Sequence, residues 1–325
     1  MDWRTRNLKE WVPGVRGFID NYYKGGAELG AYFVEGSDDS YAIIDPSTKK
    51  AAKLVLEFWK LSKRPKELKY IILTHAHPDH YGGVPFLKRK VPSAQLVVHE
   101  TATRVLKEGK EALLERFPYA ASDAFPTSRM SFRSSIASGI TPDLEVKDAT
   151  LELGDNKILL QETGGHCEDH LLAMYISKDS KALFLGDEAH IYPNNPYSFF
   201  MDSTGSFTKH QKIVQLLENV STDVIIPAHI SPIFNQGSDL FEAAQEMRFS
   251  LEHVRKTIYD IIVEKGGEKE WFIRERVFKT LQKFHWDGPF FAWAVGSTTI
   301  HVMLKSLADE GKVKYNTARE KWIPT

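Results

Sequence analysis

Between residues 74 and 83 the chain reads Thr-His-Ala-His-Pro-Asp-His-Tyr-Gly-Gly, directly after the four-residue apolar run Tyr70–Leu73. A short apolar run is the mark of a buried strand. His75, His77, Asp79 and His80 must therefore leave one strand end together, within six positions. Alternation places His75 and His77 on one side of an extended segment, while Asp79 and His80 turn toward a second position nearby. Imidazole and carboxylate groups suit zinc, iron and manganese. A lone histidine at a strand end is more often structural. Four such groups packed around Ala76 and Pro78 would be costly to desolvate without a shared partner, and a metal supplies that partner.

Three further candidates each follow a short apolar strand. His166 ends Thr163-Gly164-Gly165-His166, after Ile158–Leu160. Asp187 ends Phe184-Leu185-Gly186-Asp187, and His229 ends Pro227-Ala228-His229 after Val224–Ile226. Taken alone, each reads as a turn aspartate or a surface histidine. Together with the first motif they put seven ligand-type side chains on strand–loop junctions, where rigid scaffolds present functional groups.

The rest of the chain supplies the scaffold. Leu29–Val34, Tyr41–Asp45, Gln95–His99, Lys157–Gln161, Leu172–Ile176 and Ala182–Leu185 have strand composition. Helical spacing marks Lys50–Leu61, about Gly83–Lys90, Thr101–Phe117 and Thr208–Glu218. Residues 100–146 break the rhythm and read as an insertion over the core, a candidate lid. After Ser238 the character turns helical, with amphipathic patterns over Asp239–Glu264, Glu270–Phe284 and Ser297–Glu310. Lys312–Tyr315 and Lys321–Pro324 then flank a polar turn. Three helices and a hairpin describe a winged-helix module over 239–325, behind a catalytic domain over 1–238.

Composition narrows the setting. The formal net charge of −1 gives no whole-chain pull toward nucleic acid or anionic membrane. The single cysteine, Cys167, allows no intrachain disulfide and fits a reducing compartment. The first residues carry no apolar stretch of signal-peptide type, and no window nears the ~20 apolar residues of a spanning helix. A cytoplasmic protein without membrane partners is expected.

The motifs THAHPDHYGG (74–83), TGGHCEDH (163–170), FLGD (184–187) and PAH (227–229), in this order, resemble the metallo-β-lactamase superfamily. That resemblance implies an α/β fold, a four-layer αββα sandwich with two divalent metal ions at one edge. Zinc is the expected ion, with iron or manganese as alternatives. By the same resemblance His75, His77 and His166 hold one metal, Asp79, His80 and His229 the other, and Asp187 bridges them. GHCEDH and the tail HVMLKSLADEGKVKYNTAREKWIP are similar to the β-lactamase-like protein 2 group, whose tail is a winged helix. That group contains single-strand-specific RNA endonucleases. Its relatives include carrier-protein thioesterases and glyoxalase II-like hydrolases. Gly165, Cys167 and Ala228 depart from the commoner Pro, Ser or Thr, and Gly, and none of these departures removes a ligand.

The implied chemistry is attack of a metal-bound hydroxide on a carbonyl or phosphorus centre. Asp79 is then both ligand and orienter of the nucleophile, and His170 a partner or helper at the metal edge. Tyr192, Tyr197, Phe199 and His190, in a loop rich in Pro and Asn, are candidates for a substrate wall. Arg104, Arg116, Arg129 and Arg133 are candidate anion binders, although scattered surface arginines are commoner. Cys167 reads as a buried replacement for a hydroxyl, since no base partners it.

An ester, thioester or lactone hydrolase acting on a small molecule is the expected function. Residues 240–325 carry 14 Lys and Arg against 12 Asp and Glu, a weak charge for a nucleic-acid reader. A ribonuclease, a mononuclear iron persulfide-type dioxygenase and a DNA-binding regulator are the alternatives. The complete ligand set argues against regulation as a sole role. The tail could equally mediate a homodimer.

Overall fold

In the computed structural model, described over residues 9–21, 28–61, 67–121, 136–189, 199–229, 233–234, 238–281 and 296–325, two sheets lie back to back. The first contains β1 (Lys9–Val12), β2 (Val15–Asn21), β3 (Glu28–Glu35), β4 (Ser40–Ile44), β5 (Glu67–Ile72), β6 (Gln95–His99) and β7 (Leu144–Val146), in that spatial order. It is antiparallel to β4 and parallel from there on. The second contains β8 (Ala149–Leu153), β9 (Asn156–Glu162), β10 (Leu171–Ile176), β11 (Lys181–Gly186), β12 (Val224–Pro227) and β13 (Ile233–Phe234). Only its β11–β12 pair is parallel.

Period-two alternation sorts the apolar side chains into layers. Tyr32, Val34, Ala42, Ile44 and Ile72 face Ile158, Ala173, Phe184 and Ile226 between the sheets. Their neighbours Phe33, Ile43, Ile71 and Leu96 point outward, under α1 (Lys49–Leu61), α3 (Val84–Lys90) and α4 (Ala102–Glu108). On the second sheet, Leu172, Leu183 and Ile225 point outward under α6 (Phe207–Leu217) and α7 (Ser238–Glu264). The result is the expected αββα order. Strands buried on both faces explain why the runs looked continuously apolar.

Several expectations are corrected. Thr101–Phe117 is two helices, α4 and α5 (Lys110–Arg116), because Gly109 breaks the path at φ +68°. A short helix α2 (Pro78–Tyr81) sits inside the first motif, with Pro78 at its start, where its missing N–H costs nothing. Residues 100–146 are not all an addition, since α4 lies in the helical layer and β7 completes the first sheet. A 3-10 turn over Pro118–Ala121 follows α5.

The C-terminal part contains α8 (Glu270–Leu281), α9 (Gly296–Asp309) and the hairpin β14 (Val313–Asn316)–β15 (Lys321–Pro324). Its apolar residues do not form a separate core. Met247, Leu251, Ile273, Ile300, Leu304 and Trp322 share one cluster with Leu172 and Leu183 of the second sheet and Phe207 of α6. No helix among the described residues is long and apolar enough to cross a membrane.

Candidate metal centre

Four strand ends converge on one point of the sandwich. The segment after β5 brings His75, His77, Asp79 and His80, and the β9–β10 connection brings His166. Asp187 follows β11 and His229 follows β12. Ligand-type atoms gather in overlapping groups: His75, His77, His166 and Cys167; His75, His80 and Asp187; and Asp79, His80 and His229, each within 4.8 Å. All seven sequence-derived candidates are thus brought together.

The hydrogen bonds set the tautomers. Thr74 donates its hydroxyl to Asp45 Oδ2 at 2.7 Å, so its oxygen accepts from His75 Nδ1 at 3.1 Å. His166 Nδ1 donates to the Phe200 carbonyl at 2.6 Å, and His77 Nε2 donates to Asp202 Oδ2 at 3.2 Å. His80 Nδ1 donates to Asp45 Oδ2 at 3.0 Å. Each ring therefore turns its remaining lone pair into the cluster, the arrangement that prepares histidine to ligate.

Those lone pairs meet. His77 Nδ1 lies 3.0 Å from both His75 Nε2 and His166 Nε2. Three acceptor lone pairs cannot satisfy one another, whereas a cation among them satisfies all three. Among the described residues, buried His80 Nε2 makes no hydrogen bond of good geometry, and it lies 3.4 Å from Asp187 Oδ1. Asp187 Oδ2 is 3.3 Å from His229 Nε2, 3.8 Å from His166 Nε2 and 3.9 Å from His75 Nε2. Asp79 Oδ2 is 3.6 Å from His229 Nε2. The donor set thus fits divalent-metal binding, with the Asp187 carboxylate among the candidate groups.

Electrostatics divide the histidines into two kinds. Burial holds His166 down to about 3 and His75 well below its ordinary value, so both stay neutral. Burial also opposes charge on His80 and His229. There the Asp187 carboxylate reverses the effect, helped by Asp45 at His80 and by Asp79 at His229, and both end above the ordinary value.

Residues missed in the sequence hold this geometry. Glu188, fully buried, accepts the N–H groups of Gly165 and His166 at 2.8 and 3.2 Å and the Thr163 hydroxyl at 2.5 Å. Burial raises its carboxyl, but His170, His210 and Thr163 more than reverse this and keep it ionised. Asp45 follows a strand-end apolar run as the candidate ligands do, and that signal could have found it. Glu188 beside Asp187, and Asp202 in a loop, had no such signal.

Other expectations change. His170 is fully buried: its Nε2 accepts the Asp187 N–H at 3.1 Å and its Nδ1 faces Thr163 Oγ1 at 3.1 Å. Gly186, at φ +54°, passes so close that a Cβ there would come within 2.5 Å of His170 Nε2. Phe199 is buried in the outer core with Met201, not on a cleft wall. Arg116 is buried against Asp169 and Asp202, and exposed Arg104 pairs with Glu108 and Glu115, so neither is a free anion binder. His190, Tyr192, Tyr197, Arg129 and Arg133 lie outside the described residues.

The Metallo-beta-lactamase superfamily model matches residues 31–229, which hold every one of these ligand-type groups. The chain belongs to the metallo-β-lactamase superfamily. It is 26% identical over 225 residues to Glyoxylase B2 of Dictyostelium discoideum, a match covering 65% of each chain. It is 32% identical over 103 residues to a hydroxyacylglutathione hydrolase of Vibrio campbellii, covering 30% of this chain and 36% of that one. The match therefore spans less than two thirds of either relative. Among solved structures, a metallo-beta-lactamase family protein of Thermus thermophilus superposes with a TM-score of 0.69 at 18% identity. That likeness covers 97% of this chain and 100% of the other, so the shared fold extends into the C-terminal helices.

Proposed function

We propose that the protein is a metal-dependent hydrolase that cleaves a small-molecule thioester or a related ester or lactone. The observation that carries this reading is the convergence of the His75, His77 and His166 lone pairs at 3.0 Å, beside a carboxylate reaching the second group. His75, His77 and His166 would hold one divalent cation, Asp79, His80 and His229 the other, and Asp187 both; zinc is the first candidate. Bound there, the cations supply Lewis acidity and acidify the attacking water. Asp79, half-buried where the Asp187 carboxylate is buried, would accept a proton from that water. Water adds to the carbonyl carbon, the bond to sulfur or oxygen breaks, and the thiol or alcohol leaves with the second proton. The thioester preference is supported by relatives named hydroxyacylglutathione hydrolase. We also propose that 239–325 is a winged-helix-like unit fused to the 1–238 sandwich, on the strength of its three helices and terminal hairpin.

The test is a substrate panel of acyl-glutathione and acyl-coenzyme A thioesters, aryl esters, lactones, a phosphodiester and single-stranded RNA. Metal content is measured in parallel. The expected result is thioester or ester turnover that chelation abolishes and added Zn2+, Fe2+ or Mn2+ restores. Metal-loaded protein that cuts RNA and leaves every carbonyl substrate intact would overturn the proposal.

A further inference from the structure

Two carboxylates outside the ligand set are fully buried against the first histidine group, and one guanidinium joins them. Asp202 takes the His77 Nε2–H on Oδ2, and its Oδ1 accepts the N–H and hydroxyl of Thr204 at 2.8 and 2.6 Å. Asp169 Oδ2 accepts the N–H of Ala76, between His75 and His77, at 2.8 Å. Arg116 donates to Asp169 at 2.5 Å and lies 3.6 Å from Asp202.

The same segment aims a second ring. The Phe200 carbonyl accepts His166 Nδ1–H, and Asp202 N–H donates to the His166 carbonyl at 2.9 Å. His77 and His166 come from distant parts of the chain, yet both are oriented by residues 200–202. Two outside elements fix that segment in turn. Ser203 N–H donates to the Arg116 carbonyl at 3.0 Å, and Met201 N–H donates to Thr299 Oγ1 of α9 at 3.0 Å.

Taking an arginine and two aspartates out of water is expensive, and apolar residues would pack as stably. The retained charge has one evident use, which is direction: it sets which nitrogen of His77 carries the proton and where the ring points. We infer that Asp202 is a positioning residue for the His75/His77/His166 group, held by Arg116 and by Thr299, so that helix α9 belongs to the framework of the site. This inference rests on the ligand assignment proposed above.

The experiment titrates metal-free full-length protein, Asp202→Asn, Thr299→Val and His77→Ala with Zn2+ against a chelator. The visible absorption of the Co2+-loaded forms is recorded alongside. Asp202→Asn is expected to weaken one of two binding steps by about 10–100-fold and to shift the Co2+ bands, leaving the other step unchanged. Thr299→Val, at a residue that is not itself a candidate ligand, is expected to weaken the same step by about threefold, the scale of one hydrogen bond. Wild-type affinities and an unchanged Co2+ spectrum in Asp202→Asn would overturn the inference. If His77→Ala loses one ion while Asp202→Asn behaves as wild type, the ligand assignment stands and the positioning role fails. If His77→Ala still binds two ions, the assignment itself fails, and the inference with it. Should Asp202→Asn not fold, Thr299→Val decides, and unchanged binding there rejects the role of α9 and of the segment it holds.

Discussion

Asp45 Oδ2 lies 3.0 Å from His80 Nδ1, and this contact leaves His80 Nε2 facing Asp187. The aspartate sits at φ +47°, a left-handed conformation that Asp tolerates better than most residues. From there its other oxygen takes the Thr74 N–H at 2.8 Å, so one strained residue fixes both the start of the ligand loop and the tautomer of its last histidine. It does for the second group what Asp202 is inferred to do for the first.

Asp45→Asn keeps the backbone conformation but must turn an amide toward either Thr74 or His80. Binding of the second ion is expected to weaken by about 10–100-fold, with the first retained. Chelator competition resolves the two steps. Two ions bound at wild-type affinity would show that His80 needs no such partner.

Cys167 is fully buried, and burial pushes its thiol well above the ordinary value, so it is protonated near neutral pH. A protonated thiol is a poor nucleophile. Its contact with Asp169 is a donor's role that a hydroxyl also fills. Cys167→Ser is expected to keep activity within about tenfold, roughly 1.4 kcal/mol of barrier. A loss beyond about 100-fold in metal-loaded, folded protein would make the sulfur a participant.

The candidate ligands could be picked out because each group follows an apolar strand, and a strand end is a feature of local sequence. The αββα order came only with the resemblance of their motifs to a family; the structure adds why the runs are apolar, since Tyr41–Ile44 and Leu171–Ala173 carry apolar side chains on both faces, as strands between two layers must. What orients the ligands was not legible. Glu188 meets the His166 N–H across 22 positions of sequence and Asp202 meets His77 across 125, pairings which no local pattern records. Phe199 misled because an aromatic residue in a loop rich in Pro and Asn reads alike whether it faces a cleft or a core. The break at Gly109 was hidden by helical spacing on either side of it.

Glu270 ties α8 to the turn after α5, to α9 and to β15. Its carboxylate accepts from Tyr119, from His301 Nδ1 at 3.1 Å and from Trp322 Nε1 at 3.1 Å. Burial raises its carboxyl, and the contacts with His301, Tyr119 and Trp322 outweigh burial, leaving it below the ordinary 4.5. A depressed folded value means stability that is fully present above about 4.5, the unfolded value, and lost as pH falls through the folded one. Glu270→Gln is expected to lower Tm by about 3 °C at pH 7. The difference should narrow as pH falls below about 4.5, measured on metal-free protein so that metal release does not intrude. A gap of the same size above and below that pH would mean that the charge contributes nothing.

Removal of residues 239–325 tests whether the C-terminal helices are an appendage. All seven candidate ligands precede Ser238, so the chemistry would survive if the sandwich stood alone. The packing argues otherwise. Leu172, Leu183, Phe207, Val214, Leu217 and Ile225 are buried in the cluster that α7, α8 and α9 complete. Side chains of this kind contribute about 2 kcal/mol each when buried, so six together reach about 12 kcal/mol, comparable to the whole stability of a typical domain. Exposing that face also creates an apolar patch larger than soluble monomers carry. The truncated chain is expected to aggregate, and any fraction kept soluble should bind metal more weakly, because Met201 loses its hydrogen bond to Thr299. Light scattering and metal titration of residues 1–238 measure both effects. A monodisperse fragment with full metal content and unchanged turnover would establish that the sandwich is self-sufficient and that the helices serve a partner instead.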